Sequence, residues 1–499
     1  MRQLLIWGCC CLFFGTFTPV IADSPAGTSL FKEFNSFRNQ EALKHANWSV
    51  YVRDITENRD IIAHNIHQLL IPASTQKLLT TASAMMMLGH DHRFNTNLEY
   101  DGYINEEGTL HGNLYIRGDG DPCLGSAMMD DTLALIHVFE QWESAVRSAG
   151  IRAITGHVIA DERIFDEEMV PRRWIWEHLG NYFGAGASGL TVNENEYSIH
   201  FNAGNRVGAA ASVVYTKPEV SEMVFYNQVT TGPAGSGDQV YILGAPYVNE
   251  RWLTGTVPLG ATSFEVRGSL ADPPVFIAES FLQHLFTHGV EVTGTATSYR
   301  LTATQGIETS DDRVNLATWH SPPLYEIIFR TNLSSINTYA ENLLKTIGLQ
   351  NAEQGSTNAG LKVIDEFWEK KDLDTASWIL YDGSGLSPSN RLSTRHLMTV
   401  LYEASTHPTF SALIQSLPLA GYSGALKNWF RGTPSEGLLR AKSGYLNGAR
   451  GYAGYTTMQN GNMAAFVVLV NDYQGPPASM RESMLSLMHA ITLHDENSH

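Results

Sequence analysis

Cysteine is scarce in this chain. Three of the four, Cys9, Cys10 and Cys11, lie together in an apolar N-terminal stretch, and Cys123 stands alone in the rest. No internal disulfide can then form after that stretch, so stability has to come from core burial. Long hydrophobic runs are equally scarce. Beyond Leu4 to Ile21 none reaches the ~18 apolar residues of a spanning helix, so no transmembrane segment is expected further on. Positive charge is also short: 33 Lys and Arg face 51 Asp and Glu, a net charge of -18 with no basic cluster to offset it. That balance argues against nucleic acid as a partner. The chain contains no H-E-x-x-H, and Pro122-Cys123 breaks the calcium-loop spacing that Asp119-Gly120-Asp121 would otherwise suggest, so those residues read as a turn. No metal and no cofactor is assigned. Cys123 has no histidine partner nearby in sequence and reads as a packed thiol.

What is present begins with Arg2, the apolar stretch Leu4 to Ile21, and Val20-Ile21-Ala22, a small-residue cleavage site. Residues 1–22 therefore read as a secretory signal peptide. Cys9, Cys10 and Cys11 fall inside the apolar run rather than after it, which argues against lipid attachment at Cys9.

At 499 residues the chain is too long for one ordinary core, and length alone suggests about three domains. The most pointed local feature is Ser74-Thr75-Gln76-Lys77, behind Pro72 and at the head of an apolar stretch that Gly89 stops. Pro72 suits a helix entry, so Ser74 falls in the first turn with Lys77 on the same face. Unpaired backbone N–H groups of that turn favour a developing negative charge. A lysine on so apolar a helix loses part of its solvation, which lowers its pKa and frees an amine to take the serine proton. The spacing is weak by itself: Ser29 and Lys32 repeat it in a polar setting.

Two further motifs add weight. Ser335-Ile336-Asn337 lies in a helical-looking stretch from Leu324 to Leu344, and Lys442-Ser443-Gly444 ends a strand-like segment. Together the three match the S-x-x-K, S-x-N and K-[ST]-G set of penicillin-binding proteins and serine β-lactamases. Longer stretches agree. Leu333 to Leu344, Asp382-Gly383-Ser384-Gly385-Leu386-Ser387 with Asn390-Arg391, Leu417-Pro418 through Gly424-Ala425-Leu426, and Leu190 to Asn195 resemble the D-alanyl-D-alanine carboxypeptidase/endopeptidase family, the class C low-molecular-mass penicillin-binding proteins of peptidase family S13. The resemblance runs from about Leu70 to Gly454. Ile336, Ser443 and Ala425 depart from the usual residues of that pattern.

The fold implied is α+β: a penicillin-recognising domain whose five-stranded antiparallel sheet is flanked by helices and carries a large β-rich insertion. Pattern supports it. Strands are expected at Trp48 to Asp54, Ile61 to His64, Leu438 to Leu446, Tyr452 to Met458 and Ala464 to Val470, with Asn447-Gly448 as a hairpin turn. Helices are expected at Leu30 to Lys44 and Ser479 to Leu493, the latter with Ser479 and Glu482 in capping-box spacing. The expected organisation is a signal peptide over 1–22, a first catalytic segment over 23–92, an inserted β-rich region of two subdomains over 93–309, and a second catalytic segment over 310–499.

The resemblance also implies roles. Ser74 is the acylated nucleophile and Lys77, directly or through Ser335, its base; Ser335 and Lys442 relay a proton to the leaving amine. Asn337 holds the acyl-side amide, and Lys442 and Ser443 attract the substrate carboxylate. Backbone N–H groups of Ser74 and of Tyr445, next to Gly444, cradle the oxyanion. Peptidoglycan peptides and β-lactam antibiotics are the implied partners, and the periplasm the implied compartment. A β-lactamase or esterase with the same groups, and a wall-binding scaffold with an idle site, stay open, as does the choice between carboxypeptidase and endopeptidase.

Overall fold

The structure is a computed structural model and describes residues 29–495. The expected signal peptide lies outside the described residues. The described chain divides into two compact units, one of residues 93–322 and one of the flanking segments, 29–92 and 323–495.

The flanking unit is built on a five-stranded sheet in the order Arg440–Leu446, Ala449–Thr457, Met463–Asn471, Asn47–Asp54, Arg59–His64, antiparallel throughout. Met463–Asn471 is apolar at almost every position and buried from Ala464 on, as a strand covered on both faces must be, and it is the middle strand. Gly448 closes the first hairpin at φ +76°, a conformation its missing Cβ allows. On one face Phe37, Trp48, Val50, Phe466, Val468, Met484 and Met488 form a core with the two terminal helices, Leu30–Arg38 and Pro477–Thr492. On the other, helix Thr394–Thr406 packs on the central strands and, with helices Leu324–Ser334 and Asn337–Ala352, surrounds helix Lys77–Leu88. This is the α+β arrangement the motifs implied.

The terminal helices differ in detail from expectation. The first ends at Arg38 and gives way to a 3-10 turn at Glu41–Leu43 rather than running to Lys44. The last starts at Pro477, a residue suited to a first helical position, so Ser479 lies inside the helix and the expected capping box with Glu482 does not form.

The unit of residues 93–322 is β-rich. Its strands form sheets of three, four, four and five strands, around helices Leu135–Ser148 and Pro273–Thr287. One contiguous apolar cluster runs through it, including Leu98, Trp142, Ile159's neighbour Val158, Phe201, Leu253, Phe281 and Val290. Strand Val314–His320 pairs with Asn95–Tyr100 and so belongs here, past the edge expected near 310.

Candidate active site

Ser74 lies in a 3-10 turn, Ala73–Gln76, that feeds directly into helix Lys77–Leu88. That helix is apolar nearly all round and buried from Lys77 to Met85, so its first residue carries its amine into the interior. Lys77 is fully buried, and burial lowers its pKa to about 7 against the opposing pull of Asp382 and Glu341. Its Nζ stands 3.0 Å from Ser74 Oγ, 2.5 Å from Asn337 Oδ1 and 2.8 Å from the Ser384 carbonyl oxygen. Two of these partners are carbonyl oxygens and can only accept. A neutral amine has two hydrogens to give them and one lone pair left, and the Ser74 hydroxyl is the one partner able to donate into it.

Ser335 and Asn337 are placed by a break that hydrophobic pattern does not reveal. Leu324 to Leu344 was expected to be one helix; the structure has two, Leu324–Ser334 and Asn337–Ala352, because Ser335 adopts φ +59° and ends the first. Continuing the helix would have left Ser335 and Asn337 two residues apart and facing different ways. The left-handed residue turns the chain instead, so that Asn337 opens the second helix with its side chain on Lys77, and Ser335 receives Lys442 Nζ at 2.8 Å. Ile336 between them is buried.

Lys442 lies on the edge strand Arg440–Leu446, where Ala441, Lys442 and Gly444 are buried while Ser443 and Tyr445 are half-exposed. Its Nζ also donates to the Ser443 carbonyl at 2.9 Å. Burial, and then the charge of Lys77, hold Lys442 well below the usual lysine range. Gly444 passes the Ser74 turn so closely that a Cβ there would lie 2.8 Å from Pro72 O and 2.9 Å from Ser74 N. Only glycine brings the strand this near. The backbone beside Tyr445 is thereby carried up to the Ser74 amide, while the Tyr445 ring faces the Arg450 guanidinium at 4.8 Å.

Two buried carboxylates support the site, and sequence reasoning gave neither a role. Glu341 is fully buried and accepts from the Gly383 amide at 3.0 Å and the Ser384 amide at 2.8 Å. Asp382 accepts from the amides of Gly385 and Ser387 at 2.8 and 2.6 Å and from Asn390 Nδ2 at 2.7 Å. Thr80 Oγ1 donates to Gly383 O at 2.6 Å and Gln76 Nε2 to Asp382 O at 2.5 Å, so the Asp382–Ser387 loop is tied to helix Lys77–Leu88 and the turn before it. Burial and the neighbouring Asp382 raise the pKa of Glu341. The available signal was two carboxylates in otherwise uncharged stretches, Glu341 between Ala340 and Asn342 and Asp382 between Tyr381 and Gly383; once buried, such groups have to be bonded.

Elsewhere, Asp121 Oδ1 accepts from the Cys123 amide at 2.9 Å, closing a turn over Asp121 to Cys123 just after Gly120 at φ +79°, and Cys123 is buried.

An antiparallel sheet carrying Lys-Ser-Gly on its edge, set against Ser-x-x-Lys and Ser-x-Asn, defines a serine enzyme of the penicillin-recognising class. More particularly, residues 30–490 match the D-Ala-D-Ala carboxypeptidase 3 (S13) family, and the chain belongs to it. It is a serine DD-peptidase. A D-alanyl-D-alanine carboxypeptidase of Actinomadura sp. (strain R39) is 29% identical over 483 residues, 94% of this chain and 86% of that protein. The D-alanyl-D-alanine carboxypeptidase DacB of Haemophilus influenzae is 23% identical, with 87% of each chain covered. The fold is similar to that of the crystal structure of penicillin binding protein 4 (dacB) from Haemophilus influenzae, with TM-score 0.76 at 22% identity over 91% of this chain and 97% of that one. The same Haemophilus protein complexed with a β-lactam gives TM-score 0.70 at 21% identity over 89% and 95%.

Proposed function

We propose that the enzyme cleaves D-alanyl bonds of peptidoglycan stem peptides through an ester on Ser74, with Lys77 as the base. The observation that carries this reading is the buried Lys77 amine, two of whose three partners can only accept hydrogen bonds. Ser74 Oγ attacks the carbonyl of the penultimate D-alanine as its proton passes to Lys77 Nζ, and the oxyanion lies between the backbone N–H groups of Ser74 and Tyr445. As the bond to the terminal D-alanine breaks, its amine takes a proton through Ser335 and Lys442. Asn337 holds the acyl-side amide, and Lys442 with the Ser443 hydroxyl receives the terminal carboxylate. Water then hydrolyses the ester, which regenerates Ser74. A β-lactam acylates the same oxygen and stays attached.

The N-terminal signal-like segment supports a periplasmic site of action, where such peptides occur. Among the described residues no helix is long and apolar enough to cross a membrane.

The pH profile tests the base. Lys77 works only when neutral, and its pKa is lowered to about 7. Raising pH removes its proton, so kcat/KM for release of D-alanine from a peptide ending in D-Ala-D-Ala rises about tenfold per pH unit below 7 and levels off above it. A profile flat from pH 5 to 8 contradicts the assignment.

A further inference from the structure

Away from the serine site, two helices of the 93–322 unit bring a glutamate and two histidines together. Glu143 is on helix Leu135–Ser148; His284 is in the last turn of helix Pro273–Thr287, and His288 is that helix's C-cap. One ligand atom from each of the three lies within 4.8 Å of the others. We propose that Glu143, His284 and His288 form a zinc-class metal site that cross-links these two helices.

Three observations fit a metal rather than a chance cluster. The first is spacing. His284 Nε2 and Glu143 Oε2 are 3.2 Å apart, close to the ~3.3 Å between neighbouring ligands of a tetrahedral zinc, and His288 has only a short distance to close. His284 and His288 are four residues apart, which puts both rings on one helix face with centroids 4.2 Å apart, and binding one ion turns the rings out of their stack so that both lone pairs converge on it. The second is the outer bonding that orients metal ligands. His288 Nδ1 lies 2.8 Å from the His284 carbonyl oxygen; donating there fixes the tautomer and leaves Nε2 with a lone pair. Arg147 Nε donates to Glu143 Oε1 at 2.6 Å, leaving Oε2 on the histidine side, and the same guanidinium bonds the His288 carbonyl. The third is the field. The two histidines sit at the C-terminal end of helix Pro273–Thr287, whose dipole favours a cation. Arg147 opposes that field, but it is half-exposed and its charge is screened by water.

Two imidazoles and one carboxylate suit Zn²⁺, with Co²⁺ and Ni²⁺ as spectroscopic substitutes and water in the remaining position. Sequence alone does not show this site, because Glu143 lies on a different helix from the histidines and no short motif spans them.

The test uses tag-free protein stripped with EDTA and titrated with ZnCl₂ by calorimetry, alongside His288→Ala and Glu143→Gln. His288 is exposed, so its replacement leaves the fold in place. The expected result is one saturable site, weakened at least about tenfold in each variant. A hundredfold excess of zinc over Kd also raises the melting temperature of the parent by about 5 °C and that of His288→Ala by much less. Absence of a saturable site in the folded parent overturns the proposal, as does a site that binds zinc as tightly in either variant as in the parent.

Discussion

Lys77→Ala lowers release of D-alanine by about a thousandfold or more and leaves a folded protein. In the proposed mechanism the amine, hydrogen-bonded to Ser74 Oγ at 3.0 Å, is the base that takes its proton. Stability changes little because two effects oppose. The substitution strands the Asn337 and Ser384 oxygens, each worth ~1–3 kcal/mol if left unbonded, but it also removes a buried ionisable group and opens room for water to reach them. Lys77→Arg separates base from structural prop. A guanidinium can donate to the same oxygens but stays protonated at any working pH, so it restores packing without restoring turnover. D-alanine release measured beside a thermal melt distinguishes the two; recovery of activity in Lys77→Arg contradicts the role assigned to the amine.

Glu341→Ala destabilises the flanking unit by about 3–5 kcal/mol and lowers its melting temperature by about 10 °C. The carboxyl is fully buried, and the Gly383 and Ser384 amides both turn onto it. Truncation leaves both amides unbonded and adds a cavity. The effect reaches the reaction, because the loop that loses its anchor is the one whose Ser384 carbonyl bonds Lys77 at 2.8 Å. Glu341→Gln keeps an acceptor oxygen and is expected to melt closer to the parent. A Glu341→Ala protein melting within 1–2 °C of the parent, by calorimetry at about pH 7, contradicts this account of the loop.

Much of the sheet was legible in sequence because its strands satisfy local rules. The middle strand is apolar on both faces, Asn447-Gly448 supplies the turn, and helix Lys77–Leu88 ends at Gly89 as its residues suggest. The S-x-x-K spacing, by contrast, is ambiguous. Ser29 and Lys32 show it for a different reason, since Ser29 Oγ accepts from the Lys32 amide at 3.3 Å and caps the first helix. What separates the two serines is burial of the lysine, a tertiary property. The left-handed turn at Ser335 was hidden for the same reason: side chains on either side favour helix, and only the bonds to Lys77 and Lys442 require the break. Glu341 and Asp382 stood in view as letters, but their partners are backbone amides, which no side-chain pattern records.

The most direct test of the central claim, an acyl-enzyme on Ser74, is intact-mass analysis and tryptic mapping after incubation with benzylpenicillin, run beside Ser74→Ala. One stable penicilloyl group on the peptide holding Ser74, and none on the variant, is the predicted result. Stoichiometric acylation of Ser74→Ala, or a folded parent that neither acquires the adduct nor hydrolyses the drug, contradicts it.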